Sequence, residues 1–533
     1  MLALILPFFS IIPVIIAVFL YVFAGLKNAR ITAVVAQTAF VVLAFFLLVA
    51  VRDGEISTSI GGYEGFLGII LRVDSLAAVF ILLTVVIFLA VVIYNLRSEY
   101  DHTGRLYWFL LFILEGTLIG LFLTRDFFNI FVLMEVSTVV VVILLMYDRK
   151  RRNLFAGMTF VMINLVVMQF YLFGLGYLYM IAGVMDMEAA AVVIATMDTG
   201  DLVLPYALIM TSIAAKCSLL PLLTWLPKVN SLTGSRFTIA AIMSGLHIKS
   251  GVYLFIRFNA VFGGMASEFF LAIGIITAIA GIVLALAQKD IRLMLAYSTI
   301  AQVGMIIAGL SLNNDYSHVG ALMHVVNHAL FKVSLFLAAG MISYLYKTKD
   351  ITKIRGLLRV SPPIAIANIL AILGIIGAPL FNGSVSKFYL MHGASGALEW
   401  VFYGIGLGTI LVFVRYAAIL FDRPKGELRE VTPDWCRQSV ALGLGAACLV
   451  LGPFGVMAAR FLLNRPISFD IWGYLEKSLV FFVSFGIGLL INRRWSSKKD
   501  FLLPLRRVEL RFKFMCLSIG VFFAILLVFV GAI

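Results

Sequence analysis

The sequence predicts an all-α polytopic membrane protein. Of its 533 residues, 62% are hydrophobic and only 13% are charged, and the mean hydropathy is +1.08. Soluble domains carry about 25% charged residues, so this composition excludes a soluble fold. About sixteen apolar stretches are long enough to span a bilayer as helices, whereas barrel strands would be shorter and would alternate. They lie near 3–25, 31–51, 75–95, 107–123, 126–146, 156–182, 204–222, 237–260, 268–287, 291–310, 318–344, 362–381, 395–421, 436–459, 468–491 and 513–532.

The basic residues lie mainly in every second loop. Loops after odd-numbered stretches, such as 149–152 and 347–359, are basic, whereas the segment 186–201 is acidic. The positive-inside rule then places the basic loops in the cytoplasm and both termini on the outer side of a cell inner (plasma) membrane. The net charge of +14 therefore reflects membrane topology, and no nucleic-acid partner is expected. The N-terminal MLALILPFFS has no preceding basic region, so we expect a first spanning helix rather than a cleaved signal.

No cofactor site is expected in this chain. The four cysteines, Cys217, Cys436, Cys448 and Cys516, are scattered and form no CxxC pair, which argues against an iron–sulfur or zinc centre. No GxGxxG opens a helix after a strand, so there is no dinucleotide-binding fingerprint. No connection is long enough for a soluble domain, and any chemistry must occur in the membrane or on partner subunits.

Two spanning stretches in the middle of the chain are interrupted by proline. In the seventh, AAKCSLLPLLTWLP places Pro221 and Pro227 after Lys216; in the twelfth, GIIGAPLFNGSVSKFYL places Pro379 before Lys387. Proline removes a backbone donor and frees carbonyls, and interrupted helices in corresponding halves of a transporter indicate an ion site. The five-helix spacing suggests two units. We divide the chain into 1–106 (helices 1–3), 107–260 (helices 4–8, first half), 261–421 (helices 9–13, second half) and 422–533 (helices 14–16).

A small set of charged residues lies inside apolar stretches. They are Glu135, Lys216, Lys249, Lys332 and Lys387. A charge within the hydrocarbon costs roughly 2.5–3.5 kcal/mol on insertion scales, so each position requires an explanation. Carboxylates and amines distributed through the interior of a bundle are typical of a proton or ion path.

Glu135 and Lys216 are the first candidate pair. Glu135 lies roughly 13 Å into the bilayer from Asp126, at 1.5 Å per residue. It either modulates the proton affinity of Lys216 or is only a structural partner for a buried lysine. Lys216 is in the middle of its stretch beside Ala214 and Ala215, which makes snorkelling to the surface unfavourable.

The histidines suggest a relay. His324, His328 and Lys332 follow one another at i, i+4 and i+8, so they share one helix face. Histidine titrates near neutrality, and a His–His–Lys ladder is a plausible proton wire. The HxxxH spacing also fits half of a metal site, although no acidic or cysteine partner stands out. His247 and Lys249 point to different faces; Lys249 is the better relay candidate, and His247 is equally consistent with packing.

Other polar residues in apolar segments have structural explanations. Asp74 is predicted to cap the third helix, and Glu115 has no obvious partner. Ser298 and Gln302, in LAYSTIAQVG, either form interhelical hydrogen bonds or order water in a proton path.

Six segments together resemble the antiporter-like subunits shared by respiratory complex I, Mrp-type Na⁺/H⁺ antiporters and membrane-bound energy-converting hydrogenases. The segments are DFFNIFVLMEVS, AAKCSLLPLLTWLP, SGLHIKSGVY, DIRLMLAYSTIAQVG, HVVNHALFKVSLFLAAG and GAPLFNGSVSKFYL, within about residues 65–420. The resemblance implies a fourteen-helix core with two inverted five-helix repeats, broken helices 7 and 12 and a hydrated polar axis at mid-membrane. About two further C-terminal helices, 15 and 16, exceed this core. The proton or ion path then comprises Glu135, Lys216, Lys249, His324, His328, Lys332 and Lys387.

Two positions depart from the family pattern. A lysine often occurs early in helix 6, where this chain has Thr159, and a histidine often follows the WLP motif, where this chain has Asn230. Both departures concern the entry to the path. The basic linker between helices 15 and 16, within residues 493–513, has no counterpart in the core and suggests docking to a partner subunit.

Three functions are consistent with these observations. The first is an ion-translocating subunit, moving H⁺ or exchanging it for Na⁺, with other membrane subunits as partners in an Mrp-type antiporter or in an NADH:quinone oxidoreductase-like or hydrogenase-like complex. Any redox cofactor then belongs to the partners. The second is a structural membrane subunit that does not conduct. The third is a polytopic membrane enzyme acting on lipid or quinone, against which the short polar loops argue.

Overall fold

The computed structural model describes residues 2–23, 29–60, 68–96, 104–232, 237–424, 428–429, 434–464, 467–495, 503–506 and 512–532. Within these ranges, thirteen helices are long and apolar enough to cross a membrane, or fourteen if a bent pair counts as one span. The prediction of an all-α polytopic membrane fold is confirmed. The middle of the basic C-terminal linker, at 496–502 and 507–511, lies outside the described residues.

The N-terminal part contains three spans and a small hairpin that the sequence analysis did not predict. Its elements are α1 (Leu2–Phe23), α2 (Ala29–Ala50), a 3₁₀ turn (Val51–Asp53), β1 (Ile56–Ile60), β2 (Ile69–Val73) and α3 (Ser75–Tyr94). The two strands pair antiparallel, with Ile56 opposite Val73. The predicted cap of α3 is confirmed, because the Asp74 carboxylate accepts a hydrogen bond from the Ala77 amide at 2.9 Å.

The first half of the core contains one interrupted span. Its elements are α4 (Arg105–Leu123), α5 (Phe127–Met146), α6 (Arg151–Ala182), α7 (Met187–Ile194), α8 (Thr199–Lys216), α9 (Trp225–Leu232), α10 (Phe237–Ile242), a π-helical turn (Met243–His247) and α11 (Ile248–Val261). As the prolines predict, α8 ends at Lys216 and the chain resumes as α9 after a non-helical stretch. α10, the π-helical turn and α11 form one span.

The second half contains the other predicted interruption. Its elements are α12 (Ser267–Ala287), α13 (Ile291–Ser311), α14 (Asp315–Leu345), α15 (Leu357–Val360), α16 (Pro362–Ile376), α17 (Asn382–His392) and α18 (Ala397–Ala417). The helix breaks between Ile376 and Asn382, where Gly377 and Leu380 both have positive φ. Glycine tolerates this backbone conformation, and it ends α16 in the left-handed region.

The C-terminal part packs around this core. Its elements are α19 (Trp435–Val450), α20 (Gly455–Leu463), α21 (Ile471–Trp495), α22 (Leu503–Arg506) and α23 (Phe512–Gly531). The stretch 436–459 was expected to be one straight span, but α19 and α20 meet at an angle of 95°. The bend falls at LGPFG, where Pro453 removes a backbone donor.

The difference between about sixteen predicted spans and thirteen observed ones lies at the interrupted segments. The stretches 204–222 and 362–381 form helices that are broken before they reach a full uninterrupted span, and 436–459 is the bent pair. Hydropathy counts apolar residues regardless of backbone geometry, so it does not separate a straight span from a broken one.

The two halves share one backbone arrangement. The Phe127 amide bonds the Met185 carbonyl at 3.0 Å, and the Ile291 amide bonds the Lys349 carbonyl at 2.9 Å. In both cases an aspartate, Asp126 or Asp290, caps the helix that follows and pairs with a second aspartate, Asp186 or Asp350. This shared pairing supports two related units. The inverted relation between them stays a prediction.

An ion-pair cluster joins helices at one end of the first half. Arg257 of α11 binds the Asp74 carboxylate through two hydrogen bonds of 2.6 and 2.7 Å, and Arg125 approaches it at 3.4 Å. Burial alone would raise the pKa of Asp74, but the hydrogen bonds and charge of Arg257, followed by the charge of Arg125, hold it well below its usual range. The cluster fixes the start of α3 against α11.

Candidate functional site

Every predicted site residue lies in the helical core. The four lysines Lys216, Lys249, Lys332 and Lys387 are buried, with 7% or less of their surface exposed, and His324 and His328 are fully buried. Glu135 is half-buried. Each buried polar group must find partners inside the protein, because an unsatisfied one is costly in an apolar environment.

Lys216 is bound by neutral side chains. Its ammonium donates to Oγ1 of Thr138 on α5 and to Oδ1 of Asn164 on α6, each at 2.9 Å. Glu135 lies one turn before Thr138 and interacts with Lys216 electrostatically, but these described residues form no direct ion pair. The predicted Glu135–Lys216 pairing is therefore indirect, with Thr138 between the two charges along α5.

Neighbouring residues supply hydrogen bonds and close packing where α8 ends at Lys216. Trp225 of α9 donates its indole N–H to the Ala215 carbonyl at 2.8 Å, so that freed carbonyl has a partner. α11 approaches closely here, since a Cβ added at Gly251 would lie 2.9 Å from the Lys216 carbonyl carbon. A glycine at this point allows the span that carries Lys249 to pack against the end of α8.

Lys249 joins the two halves of the core. Its Nζ lies 2.5 Å from Nδ1 of His328 on α14 and donates to the Ser244 carbonyl at 2.6 Å. That carbonyl belongs to the π-helical turn, a distortion that often occurs at functional sites. Asn230, one of the two departures from the family pattern, donates to the Ser244 hydroxyl at 3.2 Å. It therefore contacts the same residue as Lys249 of the predicted path, at the position where the family often has a histidine.

His247 is buried in the same turn and interacts with Lys216 only electrostatically. Neither ring nitrogen has a hydrogen-bond partner within the described parts of the chain. Buried polar groups are normally satisfied by protein or by ordered water. The sequence predicts either packing or relay for this residue, and its two nitrogens, unpartnered within the described ranges, differ from the hydrogen-bonded ones expected of a packing histidine.

The three residues of α14 contact three neighbouring helices: His324 contacts α13 and α17, His328 contacts α11, and Lys332 contacts α13. His324 contacts Ser386 of α17 and Gln302 of α13, each at 2.9 Å, whereas His328 contacts Lys249. The two rings lie 6.3 Å apart between centroids, so the expected ladder has no direct hydrogen bond between its histidines. From the shared face, His324 instead contacts α13 and α17, and His328 contacts α11. No three His, Cys, Asp or Glu side chains converge within the described ranges, which leaves the metal interpretation without a ligand set.

Lys332 lies one turn further along α14. Its ammonium donates to the Leu295 carbonyl at 2.9 Å and to the Ser298 hydroxyl, both on α13. The Phe413 ring of α18 lies below it, with the nitrogen 5.6 Å from the ring centroid. Ser298 and Gln302 thus form interhelical hydrogen bonds to path residues.

Lys387 connects the two parts of the broken span, α16 and α17. It lies on α17, and its ammonium donates to the Ile375 carbonyl in the last turn of α16 at 2.8 Å. A cation at the C-terminal end of a helix interacts favourably with the helix dipole. The Asn327 amide donates to the Asn382 carbonyl at 2.9 Å, which fixes the start of α17 against α14.

Sequence reasoning missed the neutral partners. Thr138, Asn164, Ser244 and Ser386 each contact a path residue, yet none is charged. Of these four residues, Asn164 is the one that the sequence indicates most clearly, because an amide in the middle of FVMINLVV is costly unless it is hydrogen-bonded. Among the described residues, the Thr159 hydroxyl bonds only the Phe155 carbonyl of its own helix, so it offers no charge at the position where the family often has a lysine.

The comparison with protein-family models decides the family. Residues 124–412, more than half of the chain, match the model described as NADH:quinone oxidoreductase/Mrp antiporter, TM. The chain belongs to this family. All seven predicted path residues lie within the matched segment of this antiporter-family chain.

Curated relatives come from two kinds of complex. The chain is 32% identical over 367 residues to an NADH-quinone oxidoreductase subunit of Desulforudis audaxviator, covering 67% of this chain and 73% of the relative. It is 29% identical over 411 residues to an Na(+)/H(+) antiporter subunit of Alkalihalophilus pseudofirmus, covering 75% and 83% respectively.

Solved structures share the fold. A chain of the Mrp complex from Dietzia sp. superposes with a TM-score of 0.81 and 20% identity, covering 92% of this chain and 99% of that chain. A chain of the membrane-bound sulfane sulfur reductase, an archaeal respiratory membrane complex, superposes with a TM-score of 0.79 and 21% identity. The match covers 91% of this chain and 99% of that chain. At these identities the likeness establishes the antiporter-like fold.

Proposed function

We propose that this chain is an ion-translocating subunit of a multisubunit membrane complex and that it moves H⁺ along its buried polar axis. The axis runs from Glu135 and Lys216 through Lys249 and His328, and continues to Lys332, His324 and Lys387. The observation that carries the proposal is the 2.5 Å contact between Lys249 and His328, because it connects the first half of the core to the second.

The residue types suit proton transfer. Lysine and histidine both hold and release protons when their surroundings change, whereas arginine stays protonated. Every lysine of the axis donates to at least one neutral oxygen rather than to a carboxylate. A neutral acceptor does not hold the proton with a fixed counter-charge, so proton release requires no breaking of a buried ion pair.

The relatives support the same assignment. Their names place them in NADH-quinone oxidoreductases and Na⁺/H⁺ antiporters, and the structural neighbours are chains of larger membrane complexes. We propose that this chain also assembles with other membrane subunits, carries no cofactor itself and leaves any electron transfer to its partners. We further propose that it lies in the cell inner membrane with both termini outside, and that its functional units are 1–106, 107–260, 261–421 and 422–533.

A non-conducting structural subunit is the second candidate. The observation that favours it is the absence of a protein hydrogen bond, within the described residues, from Lys216 or His247 to Lys249. Without water between these groups, the axis would be interrupted in the first half.

The test is proton flux in vesicles that contain the whole complex. Lys216→Ala and Lys249→Ala should each abolish most of the flux while the complex still assembles, and Glu135→Ala should reduce it sharply. Lys353→Ala is the matched control, because Lys353 is exposed in a loop outside the axis. Normal flux in the Lys216 and Lys249 variants would favour the structural candidate. Replacing Na⁺ by choline in the same assay separates H⁺ translocation from Na⁺/H⁺ exchange.

A further inference from the structure

A small cavity lies beside Lys387, the last residue of the proposed axis. Its volume is about 60 Å³, and it is lined in part by Lys387, Gly377 and Ser384 at the break between α16 and α17. A cavity needs about 10–15 Å³ to hold one water molecule, so this one has room for more than one. Apolar side chains such as Phe388 and Met391 form most of the wall, and the ammonium of Lys387 and the hydroxyl of Ser384 supply polar partners for such water.

The opposite wall comes from α21, one of the C-terminal helices outside the fourteen-helix core. Tyr474, Lys477, Ser478 and Ser484 of this helix all line the cavity. Their spacing places them on one helix face, which also contains the apolar Val480 and Phe481 of the cavity wall. Apart from the exposed Glu476 and the basic end of the helix, the remaining residues are mainly apolar and uncovered: only 6% of the spanning window is buried, and Leu479 is 66% exposed. Polar side chains would not stabilise a helix that faced only lipid, so the four polar residues on this side of α21 require an explanation.

α21 is joined directly to the broken helix. The Tyr474 hydroxyl lies 2.8 Å from the Ser384 hydroxyl and accepts a hydrogen bond from the Leu380 amide at 3.3 Å. Leu380 lies in the turn between α16 and α17, where its φ is positive at 71°. Tyr474 therefore supplies a partner at the break and holds α21 beside Lys387.

The carboxylate of Glu399 contacts two side chains of the cavity wall. Lys477 forms an ion pair of 3.4 Å with Glu399, in the first turn of α18, and Tyr403, which lines the cavity, donates to the same carboxylate at 3.4 Å. The side chain of Glu399 is 35% exposed and that of Lys477 is 12% exposed. Glu399 thus contacts both the cavity wall and the outside of the protein.

We propose that this cavity is the aqueous outlet of Lys387 and that Glu399, positioned by Lys477, exchanges protons with it. This inference rests on the proposed proton path. In one direction, an N–H bond of the Lys387 ammonium breaks, cavity water carries the proton, and an O–H bond forms on Glu399. Glu399 then returns the proton to external water. Both steps run equally in reverse, so the outlet serves uptake as well as release.

Cysteine labelling tests whether the cavity is wet. Ser478→Cys should react with a small, charged, membrane-impermeant methanethiosulfonate added to one side of the vesicles only. Leu479→Cys is the matched control on the adjacent, outward-facing position and should not react. The parent chain gives the background from its own four free cysteines. Absence of Ser478→Cys labelling from either side would overturn the outlet.

Proton flux tests the role of Glu399. Glu399→Gln should lower flux by about a hundredfold or more, because a positioned proton-transfer group typically contributes about 10²–10⁴-fold. Lys477→Ala should also lower flux, whereas Lys477→Arg should restore it because the ion pair is retained. Glu268→Gln is the control, since Glu268 is an exposed carboxylate in the first turn of α12 and does not line this cavity. Labelling of Ser478→Cys in the Glu399→Gln background should persist, which separates proton transfer from a packing defect.

The outcomes distinguish this inference from the proposed function. Full flux in Glu399→Gln, with Lys387→Ala inactive, would overturn the outlet and leave the path intact. Full flux in Lys387→Ala would overturn the role of Lys387 in the path, whatever the labelling result.

Discussion

At the residue scale, the buried lysines share one chemical property. Each ammonium is bound by carbonyl, hydroxyl, amide or imidazole groups, and no carboxylate forms an ion pair with any of them in the described residues. Hydrogen bonds from a charged donor to neutral acceptors contribute roughly 1.5–3 kcal/mol each, enough to hold a lysine in place without a counter-ion. If the proposed path is correct, we expect these neutral acceptors to be as important to it as the lysines.

Asn164 provides the sharpest test of this idea. Asn164→Leu removes the amide that accepts from Lys216 while keeping a similar volume, and flux should fall by about tenfold, matching the loss of one such hydrogen bond. Thr159→Val, on the same helix, should leave flux unchanged because its hydroxyl bonds only its own backbone. The measurement is proton flux in vesicles, with assembly checked on native gels. Equal flux in the two variants would contradict the role of Asn164.

Lys387 tests whether a path residue must release its proton. Arginine retains the positive charge but stays protonated at all working pH values. Lys387→Arg should therefore assemble normally yet lose most of its flux, as should Lys387→Ala. If arginine supports full flux while alanine does not, Lys387 supplies only a fixed charge. The assay is proton flux in the whole complex at several pH values.

The sequence revealed the charged members of the site but not their contacts. Lys216, Lys249, Lys332 and Lys387 are conspicuous because a charge in an apolar segment is rare. Thr138, which accepts from Lys216, and Ser386, which contacts His324, are residue types common in spanning helices, so composition gives no signal for them. Their roles depend on which helices pack together, and that is set by tertiary contacts rather than local sequence.

At the element scale, backbone irregularities occur where path residues lie. α8 ends at Lys216, the π-helical turn supplies the carbonyl for Lys249, and the end of α16 binds Lys387. The breaks in the seventh and twelfth spans were predictable from proline, whereas the π-helical turn was not. MSGLH has no residue that demands it, and we attribute it to packing against α14, where Gly245 lies against Val333.

A second buried polar contact joins α2 to α4 away from the path. The Gln37 amide donates to Oε1 of Glu115 at 2.5 Å, and both side chains are fully buried. The remaining oxygens, Oε2 of Glu115 and Oε1 of Gln37, have no partner in the described residues. If Glu115 is a neutral carboxylic acid, its Oε2–H group would donate to Oε1 of Gln37 and complete a cyclic acid–amide pair.

This geometry predicts different effects for two substitutions of Glu115. Glu115→Gln supplies an amide donor in place of the acid proton and should leave thermal stability nearly unchanged. Glu115→Ala leaves the Gln37 amide buried without its partner and should lower stability by about 1–3 kcal/mol. The measurement is the melting temperature of the purified complex in detergent. Melting of the glutamine variant as low as the alanine variant would argue for an ionised carboxylate at this position.

At the scale of the whole molecule, a buried core is surrounded by exposed peripheral helices. The span that carries Lys249 is 94% buried over its central window, whereas α1, α2, α21 and α23 are buried by a third or less. Exposed apolar faces on spanning helices are available to lipid or to other membrane subunits. The fold class was predictable from composition, but the division into core and periphery depends on how the helices assemble.

The loop charges predict the orientation of the whole chain. Reporter fusions after Lys150 and Lys353 should be cytoplasmic, and a fusion near Asp198 should be external, because basic loops remain inside. Alkaline phosphatase and green fluorescent protein fusions report the two sides. The reverse pattern would invert the proposed topology and place both termini inside.

The absence of cofactor motifs predicts the optical properties of the isolated chain. Purified alone, it should show no flavin, haem or iron–sulfur absorbance, because the scattered cysteines provide no cluster motif. The measurement is a visible spectrum combined with iron analysis. A chromophore present at one per chain would place redox chemistry in this protein itself.

The mid-helix positions of Lys249 and Lys332 have an electrical consequence. Both lie near the centre of their spans, Phe237–Val261 and Asp315–Leu345, so a proton passing between neighbouring helices travels mainly parallel to the membrane surface. A unit charge that crosses the full membrane potential changes energy by about 2.3 kcal/mol per 100 mV, but a lateral step crosses little of that field. The internal transfers should therefore be nearly insensitive to voltage. Membrane potential should act on the steps that bring protons into and out of the axis.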